Sequence, residues 1–297
     1  MASLEQYEAF VETIEQGSLT AAAKRLNRSL QSVSRALATL EGELGIELVR
    51  RTTRRLHPTP AGLAFYRRLG SALKDIEDAR AEASLETSRV SGVFRIGASI
   101  LFAPTFVIPT AVAFLHKFPE VEIDLVLNDT AADLIGDRLD VAVRIGDLGA
   151  ASLRSRKVGQ LRRVVVAAPA YLARHGYPHA PSDLSTHLCV VRTFGPEGAA
   201  WPLTVNGAVV RTPVQGTLRC NDAAAANAAV LHGAGIGLAP LWQVRKDIDE
   251  GRLEVLLCKH EPPPIQISAV WPNSIETPAR TRLFVEMLVN RLAGERI

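Results

Sequence analysis

Sulfur is scarce in this chain: 297 residues hold three cysteines, Cys189, Cys220 and Cys258, and two methionines. An odd number of widely spaced cysteines supports neither a disulfide framework nor a zinc knuckle, and it places the protein in a reducing compartment. Long apolar runs are missing as well. The best stretch, Val164 to Ala173, is interrupted by Pro169 and falls well short of the roughly 20 residues that a spanning helix needs. The opening MASLEQYEAF carries carboxylates where a signal peptide has a basic and then an apolar region, so export is not expected. A soluble, cytoplasmic protein without a membrane partner is the expectation.

Catalytic patterns are equally thin. The seven histidines form no HExxH motif, and Pro178 breaks the helix that would make a metal pair of His175 and His179. Gly233 to Leu238 reads GAGIGL, but it follows a helical pattern and leads into a strand, the reverse of the order a dinucleotide-binding loop needs. Ser71 and Lys74 have SxxK spacing on a polar helix without the partner motifs of that chemistry. No GxSxG or Walker loop is present. The chain is therefore expected to be no enzyme and to need no cofactor or metal.

What the chain does contain is organised in two textures, as its length predicts for at least two folding units. Hydrophobic residues at 47% and charged residues at 22% are ordinary globular values. Leu4, Tyr7, Phe10, Val11 and Ile14 recur at helical spacing between a Ser3/Gln6 capping box and Gly17. Ser18 caps a short second helix that Asn27 ends, and Ser29 caps a third whose stripe is Val33, Leu37, Leu40 and Leu44, closed by Gly45. The following GIELVRRTTRRLHPTPAG suits a two-stranded ribbon, completing a small winged helix-turn-helix. From Ala61 to about Ser88 a helix returns, with Tyr66, Leu69, Leu73, Ile76 and Ala83 in a seam that has little flanking apolar sequence to bury against, so it is expected to self-associate.

Beyond Gly92, VFRIGAS, PTFVIPTAVAFLHKF, VEIDLVL, DLIGDRL and DVAVRIG alternate strand and helix, the pattern of parallel βαβ units with helices on both sheet faces. Further strands are predicted over 163–168, 188–191, 209–214, 236–239, 253–257 and 265–270, with helices over 223–232 and 278–292.

The net charge of +3 is uninformative until it is divided by position. No acidic residue lies between Glu15 and Glu41, where Lys24, Arg25, Arg28 and Arg35 fall, nor between Glu47 and Asp75, where Arg50, Arg51, Arg54, Arg55, Arg67, Arg68 and Lys74 fall. Such runs usually mark a solvated face, but two of them bracketing a helix-turn-helix pattern point to phosphate as counter-charge. The N-terminal part of the third helix would enter the major groove of double-stranded DNA. Gln31, Ser32, Ser34 and Arg35 stand there to meet base edges, with Arg28, Ser29, Arg51 and Arg55 beside them and Arg54 at the wing tip placed for a minor groove.

These residues carry a resemblance that runs the length of the chain. FVETIEQGSLTAAAKRLNRSLQSVSRALATLEGELGIELVRRTTRRLHPTPAG, then RIGAS with Pro109, FPEVEIDLVL, DVAVRIGDL, APAYLARHG and CNDAAAANAAVLHGAGIGLAP resemble, in order, the LysR-type transcriptional regulators. The resemblance implies an α/β fold class: an N-terminal winged helix-turn-helix (1–60), a linker dimerisation helix (61–90) and a two-lobed α/β effector domain resembling periplasmic binding proteins (91–297). Lobe I would comprise 91–162 and 266–297, and lobe II 163–265. It also implies dimers or dimers of dimers, RNA polymerase as a downstream partner, and a small-molecule effector, a carboxylate or an aromatic compound, between the lobes. Ser34 and Arg35 match the family's recognition-helix pair, Arg54 its wing arginine, and Thr59 to Gly62 its turn into the linker. Leu30 and Val49 depart from the family's usual Gln or Pro and Phe.

On that architecture the ligand sits where strand ends meet helix starts. Ser99 and Ile100 follow the first strand, ahead of a helix at Pro104 whose N–H groups favour an anion. Asn128 and Asp129 follow the second strand, Arg144 closes the third, and Asn221 and Asp222 precede lobe II's helix. There are structural alternatives: Ser99 and Asn221 as helix caps, and Arg144 as a partner of Asp129. Cys220, adjacent to the cleft, could oxidise, but a lone cysteine is more often a small buried apolar residue. The alternative for the whole is a solute-binding or sensor module whose basic head is structural.

Overall fold

The structure is a computed structural model and describes residues 2–51, 56–83, 90–129, 134, 138–147, 153–193, 198–273 and 277–293. Its head is built where the caps dictate. Helix α1 (Leu4–Gln16) begins after Ser3, whose backbone N–H donates to the Gln6 side-chain carbonyl at 2.6 Å, and ends at Gly17 with φ +61°. Ser18 caps α2 (Leu19–Arg25), Asn27 turns the chain at φ +53°, and the Ser29 hydroxyl accepts from Ser32 N–H at 3.1 Å to start α3 (Leu30–Leu44). Val33, Leu37 and Leu40 are buried as the periodicity requires; Leu44, the last residue of the expected stripe, is instead exposed.

Strands β1 (Val49–Arg51) and β2 (Leu56–Pro58) pair antiparallel as the wing. Glu41 fixes their approach: its carboxylate accepts from the Leu48 and Val49 N–H groups at 2.8 and 3.0 Å. Thr59 then starts α4 (Pro60–Ala83), donating to Glu47 O and accepting from Gly62 N–H. Tyr66, Leu69 and Leu73 of α4 pack with Phe10, Val11 and Leu40 of the head itself. Much of the seam expected to self-associate is thus covered within the chain, because α1 supplies the apolar surface that the flanking sequence lacks; Leu63 and Ile76 remain exposed.

Lobe I opens with β3 (Gly92–Ala98), a π-helical stretch Ala103–Val107 running into α5 (Ile108–Lys117), β4 (Val121–Leu127), β5 (Val141–Ile145) and β6 (Leu153–Leu161). The expected element DLIGDRL lies mostly outside the described residues. One residue after β6 the chain is in lobe II, in β7 (Arg163–Ala167), followed by α6 (Pro169–His175), β8 (Val191–Arg192), β9 (Ala200–Val205), β10 (Ala208–Pro213), β11 (Arg219–Cys220), α7 (Ala223–Leu231), β12 (Gly237–Pro240), α8 (Leu241–Asp249) and β13 (Glu254–Leu256). It returns as β14 (Ile265–Pro272) and closes with α9 (Ala279–Ala293).

The two larger sheets are not parallel as expected: that of lobe I is mixed and that of lobe II antiparallel. In lobe I the order is β4-β3-β5-β14-β6; β3 is parallel to β4 and β5, but β14 runs antiparallel to β5 and β6 because it comes back from the other lobe. In lobe II β7 lies between β12 and β13, antiparallel to both. Its run RVVVA is buried at every position: Val164 and Val166 join one core, Val165 and Ala167 the other, as the two-residue strand period demands. Strand β9 was not expected from the sequence, although Asn206-Gly207, with φ +51° and +80°, forms the tight turn of its hairpin with β10.

Head and lobe I meet in an ionic cluster. Arg138 pairs with Glu15 of α1 and lays its guanidinium 4.6 Å from the Tyr66 ring centroid; Tyr66 donates to Glu15 at 3.2 Å, and Arg95 of β3 lies 3.6 Å from the same carboxylate. Burial, reinforced by the Glu15 charge, pushes the Tyr66 phenol above its ordinary value.

Two stability predictions follow from these contacts. A Cβ on Gly62 would sit 1.9 Å from the Leu48 carbonyl oxygen, so Gly62→Ala is expected to destabilise the head by about 1–3 kcal/mol, read as a lower urea midpoint. Arg138→Gln removes a partner from a pair that is neither fully buried nor exposed and is expected to cost about 1–3 kcal/mol; an unchanged melting profile would show that the cluster does not tie head to lobe.

Candidate functional site

Two surfaces carry the chemistry. On the head, Gln31, Ser34 and Arg35 lie at i, i+3 and i+4 of α3 and so share one face; Gln31, Ser32 and Arg35 are exposed and Ser34 is half-buried. The first turn of α3 carries no acidic residue, and Ser29 spends its hydroxyl on the cap. Arg50 is exposed in β1, and Arg51 ends that strand opposite Leu56. Arg54 and Arg55 lie outside the described residues. Arg28 departs from the expectation of a phosphate contact: its guanidinium turns onto α1, 3.2 Å from Glu8 and 3.7 Å from Glu5, because the short turn before α3 leaves it beside those carboxylates. It staples the helix pair to α1.

The second surface is a cavity of about 710 Å³ between the lobes, within the size range of small-molecule sites. Of the residues expected there, Ser99, Asn128, Asp129, Arg144 and Asn221 line it. Ile100 and Asp222 are not among its lining residues. The Ile100 side chain is half exposed, and its N–H donates to the Asp129 carboxylate at 3.1 Å, so part of the donor capacity expected for a ligand anion is already used by the chain. The Asp222 carboxylate caps α7, accepting from Ala225 N–H at 2.7 Å.

Several lining residues had no signal in the linear pattern. Arg163, Arg192 and Arg211 come from three strands of lobe II, and Trp242 from α8, an element that was not expected from the sequence. Trp242 crosses to lobe I, where its ring lies 6.0 Å from Phe102 and 5.3 Å from Phe106 in edge-on contacts. Beside the cavity the two passes of chain between lobes are tied together. The Arg162 guanidinium grips Glu261 through two hydrogen bonds of 2.8 and 2.7 Å, and Arg163 donates to the Pro263 carbonyl at 3.0 Å.

Cys220, half-buried and next to Asn221, directs its thiol to the Asp222 carbonyl at 3.6 Å. Cys189 is buried, and burial pushes its thiol up to about 12. Among the described residues no group of three or more His, Cys, Asp or Glu side chains is placed to hold a metal ion, and no helix is long and apolar enough to cross a membrane.

Comparison with known proteins matches both parts of the chain. Residues 4–63 match the bacterial regulatory helix-turn-helix protein, lysR family, and residues 87–293 the LysR substrate binding domain. The HTH-type transcriptional activator AaeR of Escherichia coli (strain K12) is 31% identical over 290 residues, covering 98% of this chain and 94% of that protein. The HTH-type transcriptional regulator PtxR of Pseudomonas aeruginosa is 35% identical over 304 residues, covering 99% and 94%. Among solved structures, full-length AphB, the Vibrio cholerae virulence activator, is similar with a TM-score of 0.63 at 27% identity, covering 97% of this chain and 99% of that one.

The cysteine environments set an order of reactivity. With a thiol reagent at pH 8, exposed Cys258 and then half-buried Cys220 are expected to react in the folded protein, while Cys189 reacts only after unfolding. Mass mapping of the labelled peptides checks this; early labelling of Cys189 would show that the lobe II core opens readily.

Proposed function

The chain belongs to the LysR family of transcriptional regulators, and we propose that it grips double-stranded DNA through α3 and the wing and changes that grip when a small molecule fills the cleft. In this proposal residues 1–60 are the DNA-binding head, 61–90 the dimerisation linker and 91–297 the effector domain. Gln31, Ser32, Ser34 and Arg35 meet base edges. Ser29 holds the helix start in register, and Arg50, Arg51, Arg54 and Arg55 engage the backbone and an adjacent minor groove. The observation that carries the proposal is the Gln31/Ser34/Arg35 face, exposed at Gln31 and Arg35, on a helix whose first turn is free of carboxylates.

Two heads are needed to read paired half-sites, and α4, with Leu63 and Ile76 exposed, is the element that pairs them into a homodimer; two dimers make the tetramer. The cleft takes a small carboxylate or aromatic compound, lined as it is by Ser99, Asn128, Arg144 and Asn221 together with Trp242. Closing the lobes on it shifts the population toward one spacing of the heads, and RNA polymerase responds to the altered DNA. Arg95 of β3, in the strand that ends beside the cavity residue Ser99, lies 3.6 Å from the Glu15 carboxylate of the head, and this link supports the coupling. The chain acts as no enzyme in this scheme.

Gel-shift titration on DNA flanking the protein's own gene tests it. Specific binding is expected to fall steeply with salt, and Arg35→Ala is expected to weaken it by about tenfold to a hundredfold, the worth of one good base contact. Salt-insensitive binding without sequence preference would instead favour a sensor module with a structural head.

A further inference from the structure

Two residues that break local rules meet at the junction of head and lobe I. Gly70 is buried inside α4, where glycine costs helix stability relative to alanine. Arg138 has φ +51°, the left-handed region that glycine or asparagine enters far more readily than arginine. The tertiary structure gives both exceptions one reason. A Cβ on Gly70 would run into the Arg138 guanidinium, so the missing side chain is the notch in which that group lies. There it pairs with Glu15 of α1 and faces the Tyr66 ring, with the Arg138 and Glu15 side chains only 12% and 16% exposed. A side chain is kept where the backbone is strained and omitted where a helix would favour one, and both choices serve the same contact.

The rest of the junction is thin. Among the described residues the apolar cores of head and lobe I share no member, and no helix or strand of the one packs broadly on those of the other. Arg95 also approaches Glu15, at 3.6 Å, but lies closer to Asp124 of β4, at 3.1 Å. The base of the Arg138 arm, by contrast, is fixed in lobe I. Leu139 is buried in a core there, Asp140 donates its N–H to the Arg95 carbonyl at 2.9 Å, and its carboxylate accepts from the Arg95 N–H at 2.8 Å and from Arg280 of α9 at 3.0 Å. A firm arm with a polar end, reaching across a junction without a shared core, makes a contact that forms and breaks as a unit. We propose that Arg138, seated in the Gly70 notch, is a latch that holds the head and its linker helix to lobe I as one body, and that its release lets them turn independently of the effector domain. The latch stands on these contacts alone; its use in regulation rests on the DNA-binding reading above. With the latch closed, whatever stabilises the head also stabilises lobe I, and the converse.

The distribution of tryptophan supplies the test. Trp201, Trp242 and Trp271 all lie beyond the head, so in the full-length protein fluorescence follows the effector domain, while far-ultraviolet circular dichroism also follows α1 to α4. In urea the two signals of the wild type are expected to coincide. Gly70→Ala favours the helix while filling the notch, and Arg138→Asn suits the left-handed backbone while removing the arm. Each is expected to leave the fluorescence midpoint in place and to separate the two midpoints by about 0.5 M urea or more, the helical signal falling first. The double variant is expected to match the single ones, because all three lack the same contact. Signals that fail to coincide in the wild type, that stay together in the variants, or that separate in the double variant by the sum of the single effects would each overturn the latch. DNA flanking the protein's own gene is expected to raise both midpoints in the wild type and the helical one alone in the variants. Both midpoints rising in the variants, or the helical one alone in the wild type, would also overturn it. DNA that moves neither midpoint in any of these proteins would discard the DNA-binding reading, and the urea curves would still decide the latch.

Discussion

The chain passes between the lobes twice, and the two passes are held side by side. β6 ends at Leu161 and β7 starts at Arg163, while the return runs from Glu261 to Ile265, and the Arg162–Glu261 fork joins the outgoing pass to the incoming one. Because β14 must re-enter lobe I between β5 and β6, its direction is set by the crossing, and the sheet is mixed for that reason. The cleft is the consequence. Leu161, Arg163, Pro263, Pro264 and Ile265 line it because they flank the crossing, and the strand ends that carry Ser99, Asn128 and Arg144 are brought to the same place by the parallel run of β3, β4 and β5.

The head is joined to this machinery at the far end of lobe I. Arg138 and Arg95 converge on Glu15, and Tyr66 of the linker helix completes the group. Arg95 lies in the strand that ends beside Ser99, and Arg138 follows the segment that leaves Asp129. The strand that leads to the cavity therefore also touches the head.

Legibility differed by element for physical reasons. Helix ends in the head were readable because they rest on local chemistry: a serine hydroxyl accepting an orphan N–H, a glycine or asparagine at positive φ. The strand RVVVA was readable as a strand, but its antiparallel neighbours were not, since a strand buried on both faces carries no mark of its partners' direction. The short helix α6 and the edge strand β6, whose LRSRKVGQL does not alternate, give little periodic signal, whereas α8 is amphipathic and the expected pattern passed over it. The β9–β10 hairpin had a signal, Asn206-Gly207 between strand-forming runs, that the expected pattern passed over. The linker seam was misjudged in part: spacing identified Tyr66, Leu69 and Leu73 as apolar contacts without saying that α1 would be the contact.

By itself the sequence determined the family, the winged head and the acid-free basic segments around α3, because these depend on residue order over short distances and on charges that need no partner within the chain. It also placed five of the seven expected cleft residues, since strand ends are local landmarks. Only the tertiary structure decided that Arg28 belongs to α1, that Asp129 occupies the Ile100 N–H, and that Arg163, Arg192 and Arg211 line the same cavity. Those facts depend on which strands become neighbours after two crossings, and residues far apart along a chain reveal their proximity only when the fold brings them together.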